Sequence, residues 1–294
     1  MFIKNLYRDE VRAGWFVTED TKKVWERSLE IWAEVDRICR KHAITYWAGY
    51  GTLIGAARHK GFIPWDDDID LMMMRPDFNR FAALLKDELD GTAFELKKNF
   101  LGLVQICHSQ TTKIDNAYLD GQPQGISLAV FALDIVDDGT PEGFAAINAL
   151  REVFVAIHDC SRLVRHVQGG GKLFNDLDFL KTVSELSDVE DKIKFFWIYA
   201  ANLFDRSQCV EFVEDIISGN KQPFRKNWFN ETIYLPFETI ELPAPKKFDE
   251  FLTAYYGDWR TPVKDDENRL GFVHSADIPW REFLTRVDVQ KFLP

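Results

Sequence analysis

The chain has 294 residues, 46% of them hydrophobic and 28% charged, an ordinary globular composition with room for one large domain or two modest ones. Its formal charge of −11, with no Lys/Arg block to offset it, argues against a nucleic-acid partner gripped through phosphates. Cys39, Cys107, Cys160 and Cys209 have no zinc-knuckle spacing and read as reduced, mostly buried thiols. With no apolar signal-like start and no window of about 18 apolar residues, a cytosolic protein without a membrane span is expected, at most peripheral to the inner membrane face.

In chain order, Val24, Ile31, Trp32, Val35 and Ile38 recur at helical spacing between Thr21 and Cys39. "ITYW" at 44–47 reads as a short strand, and "GTLIGAARH" at 51–59 as a turn leading into a short helix. Ile69 to Met74 predicts a strand buried on both faces. A helix follows, with Pro76 in its first turn and Phe78, Phe81, Leu85 and Leu89 on its inner stripe. Further strands are predicted at 101–107 and 126–136. Thr140 and Pro141 cap a helix expected to reach Val167, "QGGGK" at 168–172 is a linker or loop tip, and 188–218 is again helical. The proline-bearing stretch 234–248 predicts extended pieces packed on the body. This order predicts an α+β fold, a mixed sheet flanked by helices with a helical second half packed on it. The expected divisions are a core over 1–140, a helical region over 141–222 and a returning segment over 223–294.

"GFIPWDDDIDLMMM" at 61–74 crowds Asp66, Asp67, Asp68 and Asp70 against an apolar run. Carboxylates so close repel one another, so a positive partner is expected among them. On a strand, Asp68 and Asp70 project from one face about 7 Å apart and can share a divalent cation or bracket two. Asp66 and Asp67 precede the strand and suit substrate or outer contacts. A solvated acidic loop is disfavoured by Pro64, Trp65 and the apolar run that follows. An EF-hand is rejected, because Leu71 stands where that loop needs glycine and Asp77 where it needs glutamate. A magnesium- or manganese-dependent phosphoryl-transfer site fits better. It asks for a glycine turn, supplied by Gly51 and Thr52, whose amides and hydroxyl could hold a phosphate. It also asks for a third carboxylate, for which Asp134 in "FALDIV" is the candidate: an acid among apolar residues is costly unless paired or metal-bound. A cap or turn role is the alternative for Asp134.

"YGTLIGAARHKGFIPWDDDIDLMM" at 50–73 resembles the signature of the LicD family, which includes phosphocholine transferases and fukutin-type ribitol-phosphate transferases. "NWFNETIYLPFETIELPAPKKFDEFLTAYYGDW" at 227–259 is similar to that family's closing region. The resemblance covers roughly 25–135 and 225–262, not the stretch between. It implies a nucleotidyltransferase-like core with Gly51 and Thr52 on the turn, Asp68 and Asp70 as Mg²⁺ or Mn²⁺ ligands, and Asp134 as third acid and general base. The implied reaction is attack of a glycan hydroxyl on a CDP-linked alcohol, phosphocholine from CDP-choline foremost, with release of CMP. Such chemistry modifies lipopolysaccharide, teichoic acid or other polysaccharide.

The sequence departs from the family pattern at three places. Tyr50 replaces a glycine, Gln105 stands where relatives carry a basic residue, and the third acid aligns with either Asp134, the preferred register, or Ala129. Ala129 in that position would imply a non-catalytic binder. A metal-dependent DxD glycosyltransferase using a nucleotide sugar is the other alternative. Arg58, His59 and Lys60 are candidate contacts to a diphosphate. Trp65 could stack on a base or a choline-like head, or simply pack in the core. Tyr256, Gly257 and Asp258 read as a tight turn, Arg269 and His274 could reach an acceptor, and His108, His158 and His166 suggest no second metal site.

Overall fold

The computed structural model describes residues 8–100, 103–114, 123–134, 181–182, 185–187, 212–213, 224–263 and 274–286. The first element is a hairpin of β1 (Glu10–Arg12) and β2 (Trp15–Val17). Its turn residues Ala13 and Gly14 both take left-handed backbone (φ 50° and 80°), the turn geometry that follows strand twist. Helix α1 (Glu19–His42) begins where the Thr18 hydroxyl accepts the Thr21 amide (3.1 Å) and ends at left-handed Ala43. Val24, Ile31, Trp32, Val35 and Ile38 line its buried side, as their spacing predicts.

The centre comprises β3 (Trp47–Ala48), α2 (Tyr50–Ile54) with a following π-helical turn (Gly55–His59), β4 (Ile69–Met74) and α3 (Arg75–Glu88), which has proline in its first turn. Then come β5 (Phe94–Phe100), β6 (Leu103–His108), β7 (Thr112–Lys113) and β8 (Ser127–Leu133). Later elements are β9 (Phe212–Val213), β10 (Phe224–Arg225), β11 (Thr232–Phe237), β12 (Ile240–Pro245), α4 (Phe248–Tyr256), β13 (His274–Ser275) and α5 (Trp280–Arg286).

Five strands form a mixed sheet in the order β3-β4-β8-β6-β5, with β4 and β8 parallel and the other neighbours antiparallel. Helices α1 and α3 pack on this sheet, where Leu71, Met73, Leu128, Val130, Val104 and Ile106 are fully buried. The alternate residues of β4 and β8 face α2, whose Tyr50 ring meets Phe131 edge-on at 5.3 Å. The α+β expectation holds. β3 is shorter than expected, and β5 was not anticipated because "FELKKNF" mixes charge into a short strand. Phe212 and Val213, expected to be helical, pair as a strand with β10. The expected helices from Thr140 to Val167 and over the rest of 188–218, the "QGGGK" loop, and the expected divisions at 140 and 222 lie outside the described residues. Among the described residues, no helix is long and apolar enough to cross a membrane.

The β11–β12 hairpin braces the centre through Glu238, which sits at its turn in left-handed backbone (φ 52°). The Glu238 carboxylate accepts the Phe62 amide (3.0 Å) and pairs with the Arg12 guanidinium, while the Glu238 amide donates to the Lys60 carbonyl (2.8 Å). A side chain at Gly61 would collide with that carboxylate, which is why the loop needs glycine there. Trp25 stacks flat on Phe62 at 4.9 Å and carries Arg12 above its own face at 4.9 Å. We expect Glu238→Ala to lose about 2–3 kcal/mol in urea denaturation, because it strands a buried amide and a guanidinium. Glu238→Gln should recover part of the loss; an unchanged midpoint in the alanine variant would remove Glu238 as the brace.

Candidate active site

Main-chain bonds hold the acidic loop in place. Buried Trp25 donates its indole N–H to the Asp66 carbonyl (2.7 Å), and the Asp66 amide donates to the Ile63 carbonyl (2.9 Å). At the start of β4, the Asp70 amide donates to Thr52 Oγ1 (2.8 Å), and the Asp70 carbonyl accepts the Gly49 amide (2.8 Å). The glycine turn and the acidic strand are therefore one unit, and the Thr52 oxygen serves their junction. A Cβ on Gly51 would stand 2.7 Å from Asp66 Oδ2, so the space left by its missing side chain is taken by a carboxylate.

Asp66, Asp67 and Asp68 each offer an oxygen within 4.8 Å of the others. Two oxygens on one magnesium ion, each at about 2.1 Å, lie at most about 4.2 Å apart, so small side-chain rotations would close the set. Three hard carboxylate donors suit a divalent cation of that kind. The expectation made Asp68 and Asp70 the ligand pair with Asp66 and Asp67 outside it; the structure brings Asp66 and Asp67 together with Asp68. Asp70, half-buried, stands outside that trio. Among the described residues, no other three His, Cys, Asp or Glu side chains converge in this way.

Lys113 was missed by sequence reasoning, although its Nζ lies 2.8 Å from Asp67 Oδ2. Burial works against its charge, but Asp67, Asp68 and Asp66 outweigh that and hold its pKa above the ordinary lysine value. Nothing local in "TTKID" marks this residue. Its place comes from the antiparallel pairing of β7 with β13, which sets His274 directly across from Lys113.

Asp134 does not join the acids. In the parallel ladder Asp70 pairs with Ala129 and Met74 with Leu133, so Asp134 lies beyond the far end of β4, about 16 Å along the strand from Ala129. It is almost wholly buried and takes a two-pronged pair from Arg75, both bonds 2.6 Å. Burial pushes its carboxyl up from the usual range, and Arg75 pulls it back. The principle that a buried acid needs a partner was right; the partner is a guanidinium. Ala129 is thus the residue beside Asp70 on the neighbouring strand. Gln105 follows it on β6, and its buried Oε1 has no hydrogen-bond partner among the described residues.

The expected cations have other contacts. Arg58 donates to the Trp259 carbonyl (2.6 Å) and to His59 Nε2 (2.9 Å), tying the turn at Gly257 (φ 74°) to the centre. Burial, then Arg58 and Arg12, push His59 down to about 4, so its imidazole is neutral near pH 7. Lys60 is exposed and in left-handed backbone. Trp65 is half-buried and packs against Trp15 (5.4 Å) and His59 (6.3 Å) at the rim of the core. Tyr50 is buried among Phe131, Phe251 and Tyr255. Arg269, His158 and His166 lie outside the described residues.

Residues 43–123 match the family described as LicD/FKTN/FKRP, nucleotidyltransferase domain. The chain is 29% identical over 240 residues to a lipopolysaccharide cholinephosphotransferase, LicD, of Haemophilus influenzae, covering 78% of this chain and 88% of that protein. Uncharacterized proteins of Rickettsia typhi (39% identical over 70 residues) and Rickettsia prowazekii (42% over 48) match shorter stretches, 24% and 16% of this chain and 22% and 18% of theirs. The resemblance read from the motifs is borne out.

Asp134→Asn should cost on the order of 3 kcal/mol in urea denaturation, as loss of one partner of a buried ion pair does, while leaving Mn²⁺ affinity unchanged. Loss of Mn²⁺ binding without loss of stability would return Asp134 to the metal site. His59 binds a proton less readily when folded (about 4) than at its ordinary 6.5. Its contribution to stability therefore falls as pH drops through that window and is constant above it. Denaturation midpoints at about pH 4.5 and 7 should differ less in His59→Asn than in the wild type; an equal difference would refute the assignment.

Proposed function

We propose that this LicD-type enzyme transfers a phosphorylated alcohol, phosphocholine foremost, from a CDP-linked donor to a glycan hydroxyl, with CMP as the leaving group. The observation that carries this reading is the convergence of Asp66, Asp67 and Asp68 beside Asp70, in a chain similar over 78% of its length to a cholinephosphotransferase. The acids that would hold Mg²⁺ or Mn²⁺ are Asp66, Asp68 and Asp70. A bound divalent ion would neutralise phosphate oxygens and the charge growing on the departing CMP. The third carboxylate then comes from the loop itself, which removes the need for an acid at Ala129.

The chain's own groups supply the rest of the chemistry. The acceptor oxygen attacks the phosphorus that bears the alcohol, and the bond from that phosphorus to the bridging oxygen breaks. Asp70, which would hold the ion through one carboxylate oxygen, takes the hydroxyl proton on the other as general base. Lys113 lends a fixed positive charge at the edge of the acids.

The direct test is a panel of CDP-alcohols with a glycan acceptor and Mg²⁺ or Mn²⁺, read as CMP release, with UDP- and GDP-sugars as controls. CDP-choline should yield CMP only with the metal present, and Asp68→Ala and Asp70→Asn should each fall below about a hundredth of wild-type turnover with the fold kept. Higher residual turnover, or release of a nucleoside diphosphate from a nucleotide sugar, would overturn the reading.

A further inference from the structure

We propose that Lys113 is a built-in cation of the acidic site, standing in for a second divalent ion and keeping Asp67 out of the coordination of the first. The inference deepens the proposed function, and it rests on the reading that these acids hold a divalent metal.

Lys113 is positioned rather than free to wander. Its amide donates to the Gln124 carbonyl (2.6 Å), and β7 pairs through Thr112 and Lys113 with Ser275 and His274. The adjacent Thr112 is fully buried and donates its hydroxyl to the Ile278 carbonyl (2.7 Å). The segment that supplies β13 is itself tied down, with Arg27 donating to the Ala276 carbonyl (3.0 Å) and Arg281 paired with Glu95 (2.8 Å). The ammonium therefore reaches Asp67 from a strand fixed on both sides. Exposed Lys60, nearer in sequence, is not held at the acids in this way.

The placement and the charge both fit. Paired ions in two-metal phosphoryl-transfer sites stand about 3.5–4 Å apart, bridged by carboxylates. The Lys113 ammonium lies 2.8 Å from Asp67, whose carboxylate has an oxygen within 4.8 Å of oxygens of Asp66 and Asp68, so the positive charge sits on the acid that adjoins the other two. Asp67 neutralised by Lys113 leaves Asp66, Asp68 and Asp70 for a single divalent ion and its anionic substrate. A second divalent ion would have to displace a buried, hydrogen-bonded ammonium from Asp67.

Mn²⁺ uptake measured by calorimetry, with free Mn²⁺ counted by electron paramagnetic resonance, tests this without turnover. Wild-type protein should bind one equivalent. Lys113→Met should bind a second, or bind the first at least about tenfold tighter, because it bares an uncompensated carboxylate. The charge-conserving double variant Lys113→Met/Asp67→Asn should return to one equivalent within about threefold of wild-type affinity. It removes both partners of the buried pair and is expected to fold even if Lys113→Met does not. Two equivalents in the wild type, unchanged binding in Lys113→Met, or loss of binding by more than about tenfold in the double variant would overturn the proposal. No uptake by the wild type would instead overturn the metal reading beneath it, a distinct failure.

Discussion

Mutual repulsion of the carboxylates of Asp66, Asp67, Asp68 and Asp70 is the constraint on which the arrangement of this protein turns. Left to themselves these side chains would spread into solvent. Their main chain is fixed instead by neutral donors and acceptors: the Trp25 indole on the Asp66 carbonyl, Thr52 on the Asp70 amide, and the Gly49 amide on the Asp70 carbonyl. These bonds are made by main-chain groups of the acidic segment, and its carboxylates gather at the amino end of β4. Such a site is ready to take a cation and costs stability until it has one. Lys113 offsets part of that cost from within the chain.

Precision at the acids depends on segments far away in sequence. Arg12, Phe62 and Glu238 meet around one carboxylate, and Arg58 meets Trp259, so the amino-terminal hairpin, the central loop and the returning hairpin close on one another. The two blocks that resemble the LicD signature, 50–73 and 227–259, are thus parts of a single packed unit. Glu238 joins them directly, holding the Phe62 amide and the Lys60 carbonyl just before the acids. Tyr50 takes left-handed backbone (φ 43°). Its ring is accommodated in an aromatic cluster with Phe131 and Tyr255, which supplies contacts to offset the strain.

Several features were legible because short-range rules govern them. The α1 stripe, the proline-started α3, the doubly buried β4 and the turn before it all follow from periodicity and turn chemistry within a few residues. The β1–β2 hairpin and β5 were not read, since three-residue strands and charged "FELKKNF" carry too little alternation. Asp134 shows the limit most clearly. That a buried acid between Leu133 and Ile135 needs a partner follows from desolvation alone, but the choice between a metal and Arg75 depends on how β8 slides along β4. Strand register is set by side chains packing across the sheet, and one segment's sequence does not encode it.

By itself, then, the sequence determined the chemistry on offer: a cluster of hard oxygen donors abutting a buried strand, a glycine turn ahead of it, and a fold of mixed strands and helices. Those are consequences of residue type and local spacing. Only the tertiary structure decided which acids converge, that Asp134 serves stability through Arg75, and that a lysine from a remote two-residue strand stands among the carboxylates. Charge interactions act through space and weaken with distance, screened over about 10 Å in salt, so their partners are chosen by packing and strand pairing rather than by neighbourhood along the chain.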